Sequence, residues 1–78
     1  MKKLIQRLEK IAKKNGDTFE YRINVDIDKD GDISYWFQCR EIADNHTFAC
    51  GDGFTIEEAI VNTTRHIPDA CEHWGYKE

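Results

Sequence analysis

The sequence lacks the long apolar run that a transmembrane helix or a secretory signal needs. The first apolar residues, Leu4 and Ile5, are followed at once by the polar residues Gln6 and Arg7. We therefore expect a soluble, cytoplasmic protein without a membrane role. Proline occurs once, and no segment is of low complexity, which indicates a single domain over residues 1–78. A chain of 78 residues is too short for a multi-domain enzyme, and a partner or a homodimer would add to its modest stability.

Cysteine occurs three times, and this odd number in a chain without a signal indicates reduced thiols. The histidines and cysteines show neither a CxxC nor a His-x₃-His spacing, so we predict no zinc site. There is no nucleophile elbow and no phosphate-cradling glycine loop. We therefore predict a protein that is not an enzyme, with no catalytic residue, no metal and no cofactor. The residues concerned are Cys39, Cys50, Cys71, His46, His66 and His73.

The net charge of −4 argues against a general nucleic-acid binder, but the charge is distributed unevenly along the chain. Residues 1–16 carry six basic side chains and one acidic one, a net charge of +5. Residues 17–78 carry five basic and fourteen acidic side chains, a net charge of −9. The sequence thus joins a basic helix to an acidic body. Either the lysines keep one helix face in water and attract the acidic body, or the two charged surfaces bind two different partners.

The hydrophobic period changes along the chain from helical to alternating and back to helical. An apolar stripe at helical spacing opens the chain, and alternation from Phe19 to Ile27 is its clearest strand. Thr55 and Glu58 form a capping box for the last helix, and Pro68 is expected to end or kink it. The predicted elements are a helix at 2–14, strands at 18–27, 33–40 and 47–51, a helix at 55–67 and a short helical turn at 69–74.

These elements predict an α+β fold, α-β-β-β-α, with a three-stranded antiparallel meander and both helices on one sheet face. Since the inward residues of the first two strands are all odd-numbered, the first hairpin needs a three-residue loop ending at Gly31, which pairs Ile27 with Ile33 and Ile23 with Phe37. A two-residue Asp44-Asn45 turn in the second hairpin would set Cys39 opposite Cys50. A disulfide there would be strained, so both are interpreted as small buried thiols.

The run after the third strand is Gly51-Asp52-Gly53-Phe54-Thr55-Ile56-Glu57-Glu58-Ala59-Ile60. In this element order it resembles the Gly-x-Gly-x-Ser-Lys-Lys-x-Ala-Lys motif of double-stranded-RNA-binding domains. The resemblance covers roughly residues 3–67 and implies that family's fold. However, the family's phosphate-binding lysines fall on Ile56, Glu57 and Ile60, and its RNA-contacting hairpin loop is acidic here. A weaker resemblance, carried by Glu58-Ala59-Ile60, is to small helix–sheet–helix sandwich proteins of bacteriophages, most of which have no known activity.

The first hairpin tip carries four aspartates around Gly31, with spacing like the start of an EF-hand calcium loop. Position twelve of such a loop should be a bidentate Glu and is Phe37, and strands replace the flanking helices. Asp and Gly are also ordinary turn residues, so calcium and a plain turn both stay open. We treat this acidic tip, which could occupy a basic groove, as a secondary candidate site. It consists of Asp26, Asp28, Asp30 and Asp32.

Alternation places Trp36 on the sheet face that the helices leave open, among hydrogen-bond donors, a composition typical of interaction hot spots. Alternatively Trp74, Tyr76 or a dimer mate covers it. We expect a small protein-binding module, phage-encoded or accessory, that acts on a host protein through this face. The alternative is residual RNA or DNA binding through the basic helix. The open-face residues are Trp36, Arg22, Asn24, Gln38 and Arg40; the basic-helix residues are Lys3, Arg7, Lys10 and Lys14.

Overall fold

A computed structural model describes residues 1–78 and confirms the α+β fold with the order α-β-β-β-α. The sheet is an antiparallel meander in the order β1-β2-β3. The elements are α1 (Lys2–Lys14), β1 (Phe19–Ile27), β2 (Ile33–Glu41), β3 (His46–Gly53) and α2 (Ile56–Trp74).

The first helix and the first hairpin follow the sequence pattern closely. The α1 stripe buries Leu4, Leu8, Ile11 and Ala12 in the core. In the hairpin Ile27 faces Ile33, as the parity argument predicts, and the register continues without a bulge to the far end of β1. Gly31 has φ +86°, the left-handed conformation that this loop requires and that glycine adopts without strain.

The second hairpin differs from the prediction because a β-bulge changes its register. Four residues, 42–45, connect β2 to β3, and the left-handed residue is Asn45 with φ 55°. The pairing shifts between Cys39 and Arg40, so that Cys39 faces Ala49. The predicted Cys39–Cys50 pairing is therefore wrong. The extra residue lets the adjacent Phe48 and Ala49 both be buried, which strict alternation would forbid.

The last helix runs without interruption through Pro68, so the expected break between 55–67 and 69–74 does not occur. Pro68 is exposed, while Ile67, Ala70 and Cys71 around it are buried. Packing of this stripe on the sheet therefore keeps the helix intact although proline donates no hydrogen bond. At its start, the Thr55 hydroxyl accepts a hydrogen bond from Glu58 N–H at 3.0 Å, as the capping box predicts.

Two glycines let α2 lie directly on β3. A Cβ at Gly51 would come within 2.3 Å of the Thr63 main-chain nitrogen, and one at Gly53 within 2.4 Å of the Glu58 Cβ. Neither position can therefore carry a side chain without moving the helix. This close approach explains why small residues occupy the end of β3.

The last three residues close the core at the end opposite the first hairpin. The Tyr76 ring lies 4.9 Å from the Phe48 ring centroid and 6.2 Å from that of Phe19. Asn15 exchanges two hydrogen bonds with the main chain of Lys77, at 2.8 and 3.0 Å. The C-terminal segment thus ties the end of α1 to the sheet, a contact that the sequence pattern does not predict.

Candidate functional site

The main exposed apolar surface lies on the helix side of the first hairpin, where the sequence pattern predicts core. It is formed by Ile23, Val25, Ile27 and Ile33, whose exposed fractions are 40, 55, 68 and 45%. We call these four residues the apolar row. Their inward direction is as predicted, but neither helix covers them. Phe54, 73% exposed, and Ile56, 41% exposed, follow β3 at the start of α2 and extend the apolar exposure.

Ile27 and Ile33 are uncovered because the first hairpin extends beyond β3 and the helices, whereas Ile23 and Val25 lie on the edge strand β1 beside the three-stranded part, where neither helix covers them. The last β2–β3 pair joins Tyr35 to Gly53, and α2 begins three residues after Gly53. Beyond Tyr35 only β1 and β2 continue, without a third strand or a helix. The molecule is accordingly elongated, with extents of 42 × 22 × 21 Å. A contiguous exposed apolar surface of this kind is typical of interaction sites.

The two edges of the sheet are treated differently. At the β3 edge, the Asn62 side chain donates to the carbonyl of Asp52 at 2.6 Å, and the Cys50 N–H donates to His66 Nδ1 at 3.1 Å. Side chains one turn apart on α2 therefore occupy the outer main-chain groups of β3. The outer edge of β1 has no neighbouring strand and receives no such bonds. A free edge of nine residues can pair with another chain.

The predicted open face exists, but several of its polar groups are engaged within the chain. Trp36 lies between Asn24 and Asp52 in the register and is half-buried. Trp74 stacks on His46, and the Tyr76 ring packs at a tilt against Phe48.

Salt bridges and a hydrogen bond occupy the charged part of this face. Glu20, absent from the predicted set, binds Arg40 at 2.7 Å and Arg22 at 3.6 Å. Gln38 donates to the Thr47 hydroxyl at 2.6 Å. These contacts leave the open face with fewer free donors than the sequence suggests.

The carboxylate of Asp28 organises the acidic tip. Its Oδ1 accepts from the main-chain N–H groups of Asp30 and Asp32, both at 2.9 Å. Asp26 lies in the strand opposite Ser34, and all four aspartates are exposed. The tip is therefore an aspartate-stabilised turn that presents negative charge beside the apolar row.

The basic side chains Lys3, Arg7, Lys10 and Lys14 follow one another at helical spacing on α1. The C-terminal Glu78 occupies two of them. Arg7 forms a bidentate ion pair with its carboxylate, and the Lys14 ammonium donates to its main-chain oxygen at 3.1 Å. Hydrogen bonding with Arg7 lowers the pKa of Glu78 and raises that of Arg7. Glu78 thus reduces the positive charge that this face offers to a phosphate backbone.

A cluster that the sequence analysis did not identify lies at the second hairpin. Glu41, only 1% exposed, accepts hydrogen bonds from the main chain of Ala43 and Asp44 at 2.9 and 2.7 Å. His46 Nδ1 lies 3.7 Å from the same carboxylate, and its ring stacks on Trp74. Glu41, Asp44 and His46 each offer one atom that could bind a metal, and these three atoms lie within 4.8 Å of one another. Extending the parity of β2 by one residue beyond its predicted end would have placed Glu41 inward.

All three cysteines are free thiols. Burial raises the pKa of Cys39 to about 12 and also raises the pKa of Cys71. Their thiolates are therefore scarce at neutral pH, and thiolates rather than thiols are the nucleophilic form. Cys50 faces Gln38 across the β2–β3 pair and is half-buried.

Comparison with protein-family models, curated proteins and solved structures finds no match to this chain. The structure has the α-β-β-β-α element order that the resemblance implies. Membership of the double-stranded-RNA-binding family has no support from these comparisons. Neither helix combines the length and apolar character needed to cross a bilayer.

Proposed function

We propose that this protein is a non-enzymatic protein-binding module whose main contact surface is the apolar row of the first hairpin. The exposure of Ile23, Val25, Ile27 and Ile33 carries the proposal. These side chains alternate as core residues do, yet they lie in water, and their burial by a partner would contribute about 25 cal/mol for each Å² of apolar surface. The acidic tip next to them would select a partner with basic groups at the rim of its site.

This surface replaces the open face around Trp36 as the first candidate, because the polar groups there already bind one another. A role as a phage-encoded or accessory protein that acts on a host protein belongs to the same proposal. That role rests on the weak resemblance described above.

Photo-crosslinking in the producing cell tests which face makes contact. A benzophenone amino acid replaces Val25 in the apolar row, Ser34 on the open face or Glu72 on the exposed side of α2. We expect protein adducts from position 25 and few from position 72. Adducts from position 34 alone would move the site to the open face, and equal or absent adducts at all three positions would refute the proposal.

Nucleic-acid binding through α1 is the competing function, and the Glu78 contacts weigh against it. If it holds, the protein is retained on a phosphate-rich column and is released steeply with salt. Glu78→Gln would then strengthen retention, because Arg7 would lose its carboxylate partner. Flow-through of both forms at low salt excludes this function.

A further inference from the structure

We infer that Glu41, Asp44 and His46 form a binding site for a divalent transition-metal ion of the zinc class. The three side chains lie around the four-residue connection between β2 and β3, at the end of the sheet opposite the first hairpin. Each offers one ligand atom, and the three atoms lie within 4.8 Å of one another. The inference goes beyond the proposed protein-binding function and does not depend on it.

The site carries two carboxylates that no basic side chain neutralises. Glu41 is almost fully buried, and neither Glu41 nor Asp44 has a lysine or arginine nitrogen within 4.0 Å. Burial raises the pKa of Tyr76, and the negative charges of Asp17, Glu41 and Asp44 raise it further. Because a buried carboxylate is costly unless it is compensated, this end of the molecule favours a cation.

His46 supplies a nitrogen ligand that the rest of the chain does not use. Its Nδ1 lies 3.7 Å from Oε2 of Glu41, beyond hydrogen-bond distance, and its Nε2 is buried without a partner. Buried polar atoms nearly always have a partner, and metal coordination is a common role for a neutral imidazole. The ring is held beside the carboxylates by its stack on Trp74, with centroids 3.9 Å apart.

The spacing of Glu41 and His46 suits a single ion. Zinc lies about 2.0–2.2 Å from its nitrogen and oxygen ligands, so two ligands of one ion are no more than about 4.3 Å apart. The 3.7 Å between His46 Nδ1 and Glu41 Oε2 is within this limit. The main-chain N–H groups of Ala43 and Asp44 orient the Glu41 carboxylate, as outer contacts of metal ligands do, and each oxygen keeps a further lone pair. The exposed Asp44 side chain can turn to complete the set.

The donor set selects the class of ion. Imidazole nitrogen suits zinc and the neighbouring transition metals, whereas magnesium and calcium prefer oxygen ligands alone. Two carboxylates and a neutral imidazole balance a charge of +2, and three protein ligands leave zinc one position for water. Since His46 stacks on Trp74 at the end of α2, a bound ion would join the β2–β3 connection to that helix and stabilise the fold.

Calorimetric titration of the reduced protein with zinc chloride tests the site. We expect one zinc ion per chain and a higher melting temperature in excess zinc than in a chelator. Asp44→Asn and His46→Phe should each raise the Kd for zinc by at least the roughly 10–100-fold that loss of an outer contact costs. His46→Phe is the sharper variant because a phenyl ring can keep the stack on Trp74 while both nitrogens are removed. Thermal melting in the chelator checks that both variants fold, and Asp44→Asn changes only an exposed side chain.

Three control variants separate this site from other groups that can bind zinc. Asp28→Asn removes the organising carboxylate of the acidic tip, Cys50→Ser removes the half-buried thiol, and His73→Gln removes an exposed imidazole of α2. None of them should change the Kd. A wild type that takes up no zinc would overturn the inference, and so would a control variant that weakens binding as much as the two site variants do. The crosslinks expected from position 25 do not require zinc, so either failure would leave the proposed function intact.

Discussion

At the scale of single residues, close main-chain contacts decide which positions tolerate change. Gly51 faces the Thr63 main chain, and Thr63 is fixed by its own hydroxyl bond to the Ala59 carbonyl at 2.7 Å. Gly31 has the less common backbone conformation but nothing within 4 Å of its absent side chain. The two glycines therefore serve different purposes, close packing in one case and chain reversal in the other.

We expect Gly51→Ala to lower the free energy of unfolding by about 1–3 kcal/mol or more, because a methyl group would force α2 away from β3. Gly31→Ala should cost only about 1–2 kcal/mol, the strain of a left-handed alanine. Chemical denaturation of both variants measures the difference. If the two losses were equal, the close approach of α2 would not limit stability.

At the scale of elements, burial after Pro68 outweighs the helix-breaking tendency of proline. Pro68 has no N–H, so the Thr64 carbonyl gains no helical hydrogen bond from it. Ala70 and Cys71 lie deep against the sheet and hold the final turns of α2 in place. The helix is therefore kept by tertiary contacts at a position where its local sequence opposes it.

Pro68→Ala should stabilise the protein. Alanine is about 3 kcal/mol more favourable than proline in a helix interior, and the greater freedom of the unfolded chain offsets about 1 kcal/mol of that gain. We expect a net increase of about 2 kcal/mol in the free energy of unfolding. Asp69→Ala, an exposed neighbour that leaves the main chain unchanged, is the matched control and should move stability far less. No gain for Pro68→Ala would show that the proline is accommodated without loss.

At the scale of the whole molecule, one end of the apolar interior is covered by other parts of the chain and the opposite end is exposed. The C-terminal segment seals the core where α1 ends, through Tyr76 and the Asn15–Lys77 hydrogen bonds. At the other end the first hairpin projects with its apolar row in water. The fold thus covers its core at one end and leaves the apolar row at the other end exposed.

The Arg7–Glu78 ion pair at the sealed end should make stability weakly pH-dependent. The pKa of Glu78 lies below its ordinary value of 4.5 in the folded state, so the contribution is complete above about that pH and is lost as pH falls through the folded-state pKa. Since both side chains are more than a third exposed, we expect less than about 1 kcal/mol. Thermal melts of wild type and Glu78→Gln should differ at neutral pH and converge in acid. A difference that persists in acid would assign the effect to something other than this charge.

The sequence by itself determined the elements whose pattern is local. The α1 stripe, the alternation of β1, the register of the first hairpin and the Thr55 cap all follow from spacing and turn chemistry, and the structure confirms them. Only the tertiary structure decided the bulge beside Phe48, the continuity of α2 through Pro68 and the exposure of the apolar row. Periodicity shows which face of a strand is apolar, but not whether a helix is long enough to cover it. For this reason the same alternation that predicted core at Ile23, Val25, Ile27 and Ile33 marks the candidate site instead.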